Sequence, residues 1–206
     1  LDLKTDFESK ATGVVLESAL DKGKGATATV LVQKGCMNMG DNIICGKEYG
    51  RIRAMIDQDG KRVDTATPSM PVVILGLSGA PEVGDEVLSA VNDKKIRDIA
   101  EFRKTKLRDN KFASQYQAPT LDNMFSNLKK GEVPTLNILL KTDVQGSAQA
   151  ICDSLTKLNT DEVEVKIISS SAGAINESDI ALAEASNAII FGFNVRADSQ
   201  AKKTVM

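Results

Sequence analysis

The stretch Leu139-Leu-Lys-Thr-Asp-Val-Gln-Gly-Ser147 joins an apolar run to an amphipathic segment through a short turn with one glycine and one acid. This is the pattern of a strand followed by a helix in a parallel sheet. Two further strands, Val163–Ile168 and Ala188–Phe193, flank a helix at Glu177–Ala185 with Asn176 and Asp179 in capping-box positions. These alternating elements predict an α/β/α domain with a parallel sheet.

The turn itself has two interpretations. Backbone N–H groups at the start of the predicted helix, Ser147–Leu158, attract anions, so Gly146 and Ser147 could hold the phosphate of a small regulatory ligand. However, Asp143 lies in the same turn, where its carboxylate can accept those N–H groups and would repel a phosphate. We favour a structural turn and keep a small-molecule-binding regulatory domain as the alternative.

Upstream, residues 11–92 consist of short β-rich runs separated by closely spaced turns. Ala26–Gln33 alternates small or polar residues with branched ones, and Pro71–Leu77 is continuously apolar. Asp21–Gly25 and Asp57–Gly60 have the composition of turns between strands. About six or seven strands without a helix predict a closed antiparallel β-barrel.

Between these regions, Asp93–Phe112 has no Gly or Pro and predicts a connector helix that has little to bury. Its thin, imperfect apolar stripe consists of Ile96, Ile99, Ala100, Arg103 and Leu107. A linker at Ala113–Pro119 precedes a short predicted helix over residues 121–128, with Thr120 as its N-cap and Gly131 at its end. We therefore predict a barrel over residues 1–92, a connector over 93–118 and the α/β/α domain over 119–206. The last residues enter another helix, and the chain begins without Met, so we interpret it as a piece of a longer protein.

Composition excludes several classes of function. The 206 residues contain no His, so a Ser-His-Asp triad, a Cys-His pair and His-ligated metals are excluded. Cys36, Cys45 and Cys152 form no metal-binding spacing, and we expect small buried side chains of a reducing compartment. No P-loop or dinucleotide fingerprint occurs, and no apolar run is long enough for a membrane span. We expect a cytoplasmic, non-catalytic chain without metal or cofactor.

Net charge is −2, but residues 93–118 are basic and both flanks are mildly acidic. A solvated connector helix is the simplest explanation of the basic segment. Six basic residues in or beside the predicted barrel turns are candidates for RNA or ribosome contact: Lys22, Lys24, Arg51, Arg53, Lys61 and Arg62. Each is more simply a solvated side chain, and only convergence on one face would make an RNA site.

Two groups of motifs carry a family resemblance. The barrel region contains Leu20-Asp-Lys-Gly-Lys-Gly25 and Gly50-Arg-Ile-Arg-Ala-Met55. The α/β region contains Lys141-Thr-Asp-Val-Gln-Gly-Ser147, Ala172-Gly-Ala-Ile-Asn-Glu-Ser-Asp179 and Gly192-Phe-Asn-Val-Arg196. Together they resemble the middle of bacterial-type translation initiation factor two, over nearly the whole chain.

The resemblance implies the β-barrel that follows the GTPase domain, then a connector helix and an α/β/α domain, all acting as a ribosome-docking and relay segment. The implied partners are the small ribosomal subunit with its RNA, and the GTPase and initiator-tRNA-binding domains of the same factor. GTP and Mg would bind the GTPase domain, not this segment. We expect a monomer in which Asp143, Gly146 and Ser147 form a signature turn.

Overall fold

The computed structural model describes residues 4–21, 23–115, 134–160 and 162–205 of the chain. The chain divides into two compact units, Leu1–Lys104 with Val144–Gly146, and Thr105–Asp143 with Ser147–Met206. The short helix predicted over residues 121–128, with its caps, and the candidate contact Lys22 lie outside the described residues.

The first unit is a closed antiparallel barrel, as predicted. The strands of this unit are β1 (Thr12–Asp21), β2 (Gly25–Lys34), β3 (Met37–Asn38), β4 (Asn42–Cys45), β5 (Glu48–Ile56), β6 (Arg62–Val63), β7 (Thr65–Ala66), β8 (Pro71–Leu77) and β9 (Glu86–Ala90). Six of them form the barrel in the order β4-β9-β1-β2-β8-β5, and a further pairing of β4 with β5 closes it. Closure leaves these six strands without a free edge. The other three, which were not predicted, are short: β6 pairs with β5, and β3 pairs with β7.

Alternation along the strands builds the barrel core. In β2, every second residue from Ala26 to Val32 is buried, because successive side chains of a strand point to opposite faces. The largest fully buried side chains of this core are those of Met37, Ile43, Ile52, Met55 and Ile74. The apolar positions that predicted strands are therefore those that fill the barrel.

Cysteine burial only partly follows the prediction. Cys45 is fully buried in the barrel core, whereas Cys36 and Cys152 are half-buried, so the expectation of three buried thiols is wrong for two. Burial, together with the negative charges of Asp85 and Glu48, raises the pKa of the Cys45 thiol to about 12. Since the thiolate is the reactive form, Cys45 is protected both by burial and by protonation.

We expect only Cys36 and Cys152 to react with Ellman's reagent in the native protein at neutral pH. Cys45 should become reactive only as the barrel unfolds. Thiol counting with and without denaturant checks this, and the single substitution Cys45→Ala should remove the slow fraction alone. Rapid native modification of Cys45 would contradict the burial.

Helix α1 (Asp93–Gln115) starts on the barrel. Its Ile96 and Ala100 are buried against Ile44, together with Tyr49, Leu88 and Ala90. The Arg103 guanidinium donates a hydrogen bond to the Gly46 carbonyl oxygen at 2.7 Å. The prediction that this helix has little to bury is thus wrong for its first turns, and the helix also extends to Gln115, into the predicted linker. Ile99 and Leu107 of the predicted stripe remain 46% and 45% exposed.

The second unit contains the predicted parallel sheet. Its elements are β10 (Thr135–Thr142), α2 (Gln145–Thr156), β11 (Glu164–Ala172), α3 (Glu177–Ala185), β12 (Ile189–Phe193) and α4 (Ser199–Val205). Strand β10 is central, paired in parallel with β11 on one side and β12 on the other. Residues Ile138 to Thr142 of β10 are all buried, as expected of a central strand in a parallel sheet.

Helix boundaries in this unit confirm one prediction and correct others. The capping box of α3 is present: the Asn176 side chain accepts from the Asp179 N–H and the Asp179 carboxylate accepts from the Asn176 N–H. Helix α2 begins at Gln145 instead of Ser147, and Leu158, the predicted last residue of this helix, lies beyond its end at Thr156 and is 65% exposed. Within the described ranges, no helix combines the length and apolarity needed to cross a membrane.

Candidate nucleic-acid interface on the barrel

A bulge in β5 presents two arginines on the outside of the barrel. In its pairing with β8, Gly50 is opposite Leu77 and Ala54 is opposite Leu75. Three residues of β5 therefore face a single residue of β8, one more than in an ordinary β-bulge. The three are Arg51, Ile52 and Arg53, of which the arginines are exposed and Ile52 is buried.

Backbone hydrogen bonds to Gly40 and Asp41, in the loop before β4, hold the middle of the bulge. The Ile52 N–H donates to the Asp41 carbonyl oxygen, and the Ile52 carbonyl accepts from the Gly40 N–H, both at 2.9 Å. The Arg51 Nε also donates to the Gly40 carbonyl oxygen at 2.8 Å. These bonds replace those that a regular ladder would supply, so the bulge is a fixed feature of the barrel.

Two glycines leave room for the bulge. Gly76, the single residue opposite it, has φ of +115°, and a side chain there would overlap the Arg51 carbonyl oxygen. A side chain on Gly50 would overlap the Gly76 carbonyl oxygen. The two strands therefore approach closely only because both positions lack a Cβ.

Basic side chains line a shallow groove beside the bulge, here called the Lys24 groove, with a volume of about 330 Å³. Its charged lining residues are Lys24, Arg53 and Arg62, and no acid is among the described residues that line it. Asp21 shapes the turn that carries Lys24, because its carboxylate accepts the N–H groups of Lys24 and Gly23 at 2.9 and 2.7 Å. These two hydrogen bonds lower the pKa of Asp21.

A second groove, the Arg97 groove, has a volume of about 520 Å³ and shares Arg53, Gly76 and Leu77 with the first. The shared residues make the two grooves neighbours across the bulge. The Arg97 groove adds Arg51 from β5 and Arg97 from α1, and its one acidic lining residue among the described ones is Asp93. Asp93 forms an ion pair with Arg97, at 3.2 Å between Oδ2 and Nη2.

An aromatic ring forms one wall of the Arg97 groove. Tyr49 packs against the cluster of Ile44, Ile96 and Ala100, and the Arg97 guanidinium lies over its ring, 5.6 Å from the centroid. Two hydrogen bonds to Ser78 hold the Tyr49 backbone. The Ser78 N–H donates to the Tyr49 carbonyl oxygen at 2.7 Å, and the Ser78 hydroxyl accepts from the Tyr49 N–H at 3.1 Å. The site thus combines several guanidinium groups with one ordered ring, a combination suited to nucleic acid.

The structure brings together four of the six predicted contact residues. Lys24, Arg53 and Arg62 line one groove, and Arg51 with Arg53 lines the other. Lys61 lies apart from both linings, in the turn where its N–H donates to the Asp57 carboxylate at 2.8 Å. The convergence that the sequence alone leaves open is therefore present for the four.

The signature turn of the second unit is differently placed than predicted. Gly146 lies within the first turn of α2 instead of preceding it, and Ser147, the predicted first residue of the helix, is its third. The Asp143 carboxylate accepts a hydrogen bond from the Asn194 amide at 2.6 Å. A phosphate bound at this helix start would lie close to that carboxylate, so the geometry does not favour the metabolite-binding alternative.

The sequence-based prediction missed the residues from α1 and β8. From the sequence alone, Arg97 was interpreted as part of a solvated basic helix, and Gly76 as part of an apolar strand. The available signal was the arrangement Gly-Arg-Ile-Arg at Gly50–Arg53, in which glycine precedes two arginines separated by one apolar residue. That pattern marks an outward-facing arginine pair, but not the elements beside it.

Comparisons with known proteins point to translation factors for both units. The family model of elongation factor G domain 2 matches residues 10–90, and that of translation-initiation factor 2 matches residues 109–206. Among solved structures, GDP-bound aIF5B from Aeropyrum pernix is 18% identical, with a TM-score of 0.47 over 95% of this chain. This chain spans 32% of that one. A bacterial selenocysteine-specific elongation factor, EF-Sec, is 20% identical, with a TM-score of 0.37 over 40% of this chain and 15% of its own.

Proposed function

This chain belongs to the translation-initiation-factor-2 family, and on that premise we propose that it is a non-catalytic module that docks on the small ribosomal subunit. Its partner there is ribosomal RNA, bound through the paired grooves of the barrel. In the whole factor, the module would connect a GTPase domain, which binds GTP and Mg, with a domain that binds initiator tRNA, and it would act in the cytoplasm as a monomer. The factor would place the initiator tRNA on the small subunit and promote joining of the large one.

The single observation that carries the docking proposal is the convergence of basic side chains at the β5 bulge. Phosphate contacts dominate the affinity of proteins for nucleic acid, and they come mainly from Arg and Lys. Arg53 lines both grooves, with Lys24 and Arg62 on one side and Arg51 on the other. The chain as a whole is slightly acidic, so this basic surface is local and would favour one docking site over general attraction to RNA.

A relay role is the second part of the proposal. Helix α1 continues without interruption from Asp93 to Gln115 and is fixed to the barrel through Ile96, Ala100 and Arg103. A shift of the barrel strands on binding would therefore also shift the start of this helix. The alternative, a metabolite-binding domain at the Gly146 turn, has weaker support because the negative charge of Asp143, two residues before the start of α2, would repel an anion there.

Docking is tested by the substitution Arg53→Gln. We expect weaker binding of the labelled chain to small ribosomal subunits, and a slope of log K against log salt that is shallower by about one, because one phosphate contact is lost. Sedimentation or fluorescence anisotropy over a salt series measures both quantities. The wild-type chain should also compete with an intact translation initiation factor 2 for the same subunits.

Lys61→Gln is the matched control, since it removes one charge from the same hairpin but outside both grooves. It should leave affinity and salt slope unchanged. Equal losses from the two substitutions would show nonspecific charge attraction, and failure of the wild-type chain to bind small subunits at low salt would remove the docking proposal.

A further inference from the structure

The Arg97 groove differs from the Lys24 groove in having a flat platform beside its charges. We propose that the Arg97 groove is a binding site for one unpaired RNA nucleotide, whose base stacks on the Arg97 guanidinium while Arg51 and Arg53 hold the adjoining phosphates. This inference rests on the RNA docking proposed above and specifies the kind of RNA feature that the groove recognises.

The platform is held in place before any ligand arrives. The Arg97 guanidinium carbon lies over the Tyr49 ring, 5.6 Å from its centroid, and Arg97 also forms an ion pair with Asp93 at 3.2 Å. The Arg97 side chain is nevertheless 57% exposed, so Tyr49 and Asp93 leave much of its surface open. Planar guanidinium groups stack on aromatic rings and on nucleobases, so a base would extend the existing pair.

The charges are placed for the backbone of the same nucleotide. Arg51 and Arg53 project from the bulge into the lining of the groove that also contains Arg97. The groove volume of about 520 Å³ falls within the usual range of small-ligand sites, roughly 300–1,000 Å³. The Tyr49–Arg97 pair adds to these charges a surface on which a base can stack.

An acidic peptide is the competing ligand class. Its carboxylates could pair with the same arginines, but they would gain nothing from a planar platform supported by a ring. A base gains stacking energy in addition to the phosphate contacts. The combination of ring, guanidinium and flanking arginines therefore favours RNA with an unpaired base.

The test compares two RNA hairpins, one fully paired and one with a single unpaired 2-aminopurine. We expect the wild-type chain to bind the second about tenfold more tightly, because one stacked base contributes that much. Stacking should also quench the 2-aminopurine fluorescence. Arg97→Lys keeps the charge but removes the plane, so it should abolish both the preference and the quenching while binding of the paired hairpin persists.

Two control substitutions separate this inference from docking itself. Lys95→Gln removes a charge from the opposite side of α1 and should change nothing, whereas Arg53→Gln should weaken both hairpins equally and keep their ratio. A wild-type chain that binds both hairpins alike, an Arg97→Lys variant that retains the preference, or polyglutamate that competes as well as the unpaired hairpin would overturn the inference and leave docking standing. Absence of binding to either hairpin at low salt would count against the docking proposal instead.

Discussion

Replacing Gly76 by alanine should lower the unfolding free energy of the barrel by about 3 kcal/mol or more. The new methyl group would overlap the Arg51 carbonyl oxygen and crowd the backbone N–H of Arg53, and the backbone φ of +115° is unfavourable for any residue with a Cβ. Relief of this overlap requires β5 and β8 to separate where the bulge lies. The free energy is best measured as the urea dependence of Cys45 thiol reactivity, because Cys45 reports on the barrel core.

Gly60→Ala provides the matched control for that substitution. Gly60 also has a positive φ, of +79°, but nothing lies within 4 Å of the position its Cβ would take. Its replacement should therefore cost only the backbone strain, about 1–2 kcal/mol. If the two variants lost equal stability, the close approach of β5 and β8 at the bulge would not be a constraint.

Asp179→Ala should destabilise the second unit by about 3–5 kcal/mol, because it leaves Lys141 as an unpaired buried charge. The two side chains form an ion pair at 3.1 Å with only 6% and 14% of their surfaces exposed, and the Lys141 ammonium also donates to the Ser171 hydroxyl at 2.9 Å. The substitution removes the capping-box acceptor of the Asn176 N–H as well. Hydrogen exchange of the β10 amides by mass spectrometry follows this unit specifically.

A double-mutant cycle distinguishes the ion pair from the cap. Lys141→Met alone should also be costly, because it leaves the Asp179 carboxylate unpaired, but the double variant Lys141→Met with Asp179→Ala should be less destabilised than the sum of the two. Glu177→Ala, in the same first turn of α3 but exposed, should have a small effect. Additive losses in the cycle would show that Lys141 and Asp179 are not coupled.

Local patterns predicted most of the fold. Alternation in β2, the apolar run of β8 and the Asn176–Asp179 capping box each depend on residues a few positions apart, so the sequence specifies them directly. The order of strands and helices then indicated an antiparallel barrel followed by a parallel sheet. Boundaries were less accurate: α2 starts two residues earlier than predicted and α1 extends into the predicted linker, because the ends of helices fray and are less sharply defined than their interiors.

The candidate site could be predicted only in part. Arg51, Arg53, Lys24 and Arg62 were identifiable as basic residues at turns, but their convergence depends on which strands are neighbours in the barrel. Lys61 has the same local signal and lies outside both grooves. Arg97 and Tyr49 come from a helix and a strand that are almost fifty residues apart, and no local pattern joins them.

By itself, the sequence determined that this chain is a barrel followed by an α/β domain, and that it lacks histidine chemistry. Only the tertiary structure determined that the basic side chains lie close together beside the β5 bulge. Strand register at Gly50 and Gly76 projects the arginines outward, and packing of Ile96 and Ala100 places Arg97 over Tyr49. Periodicity acts along the chain over a few residues, whereas these contacts depend on pairings between distant segments, and only the folded chain fixes those pairings.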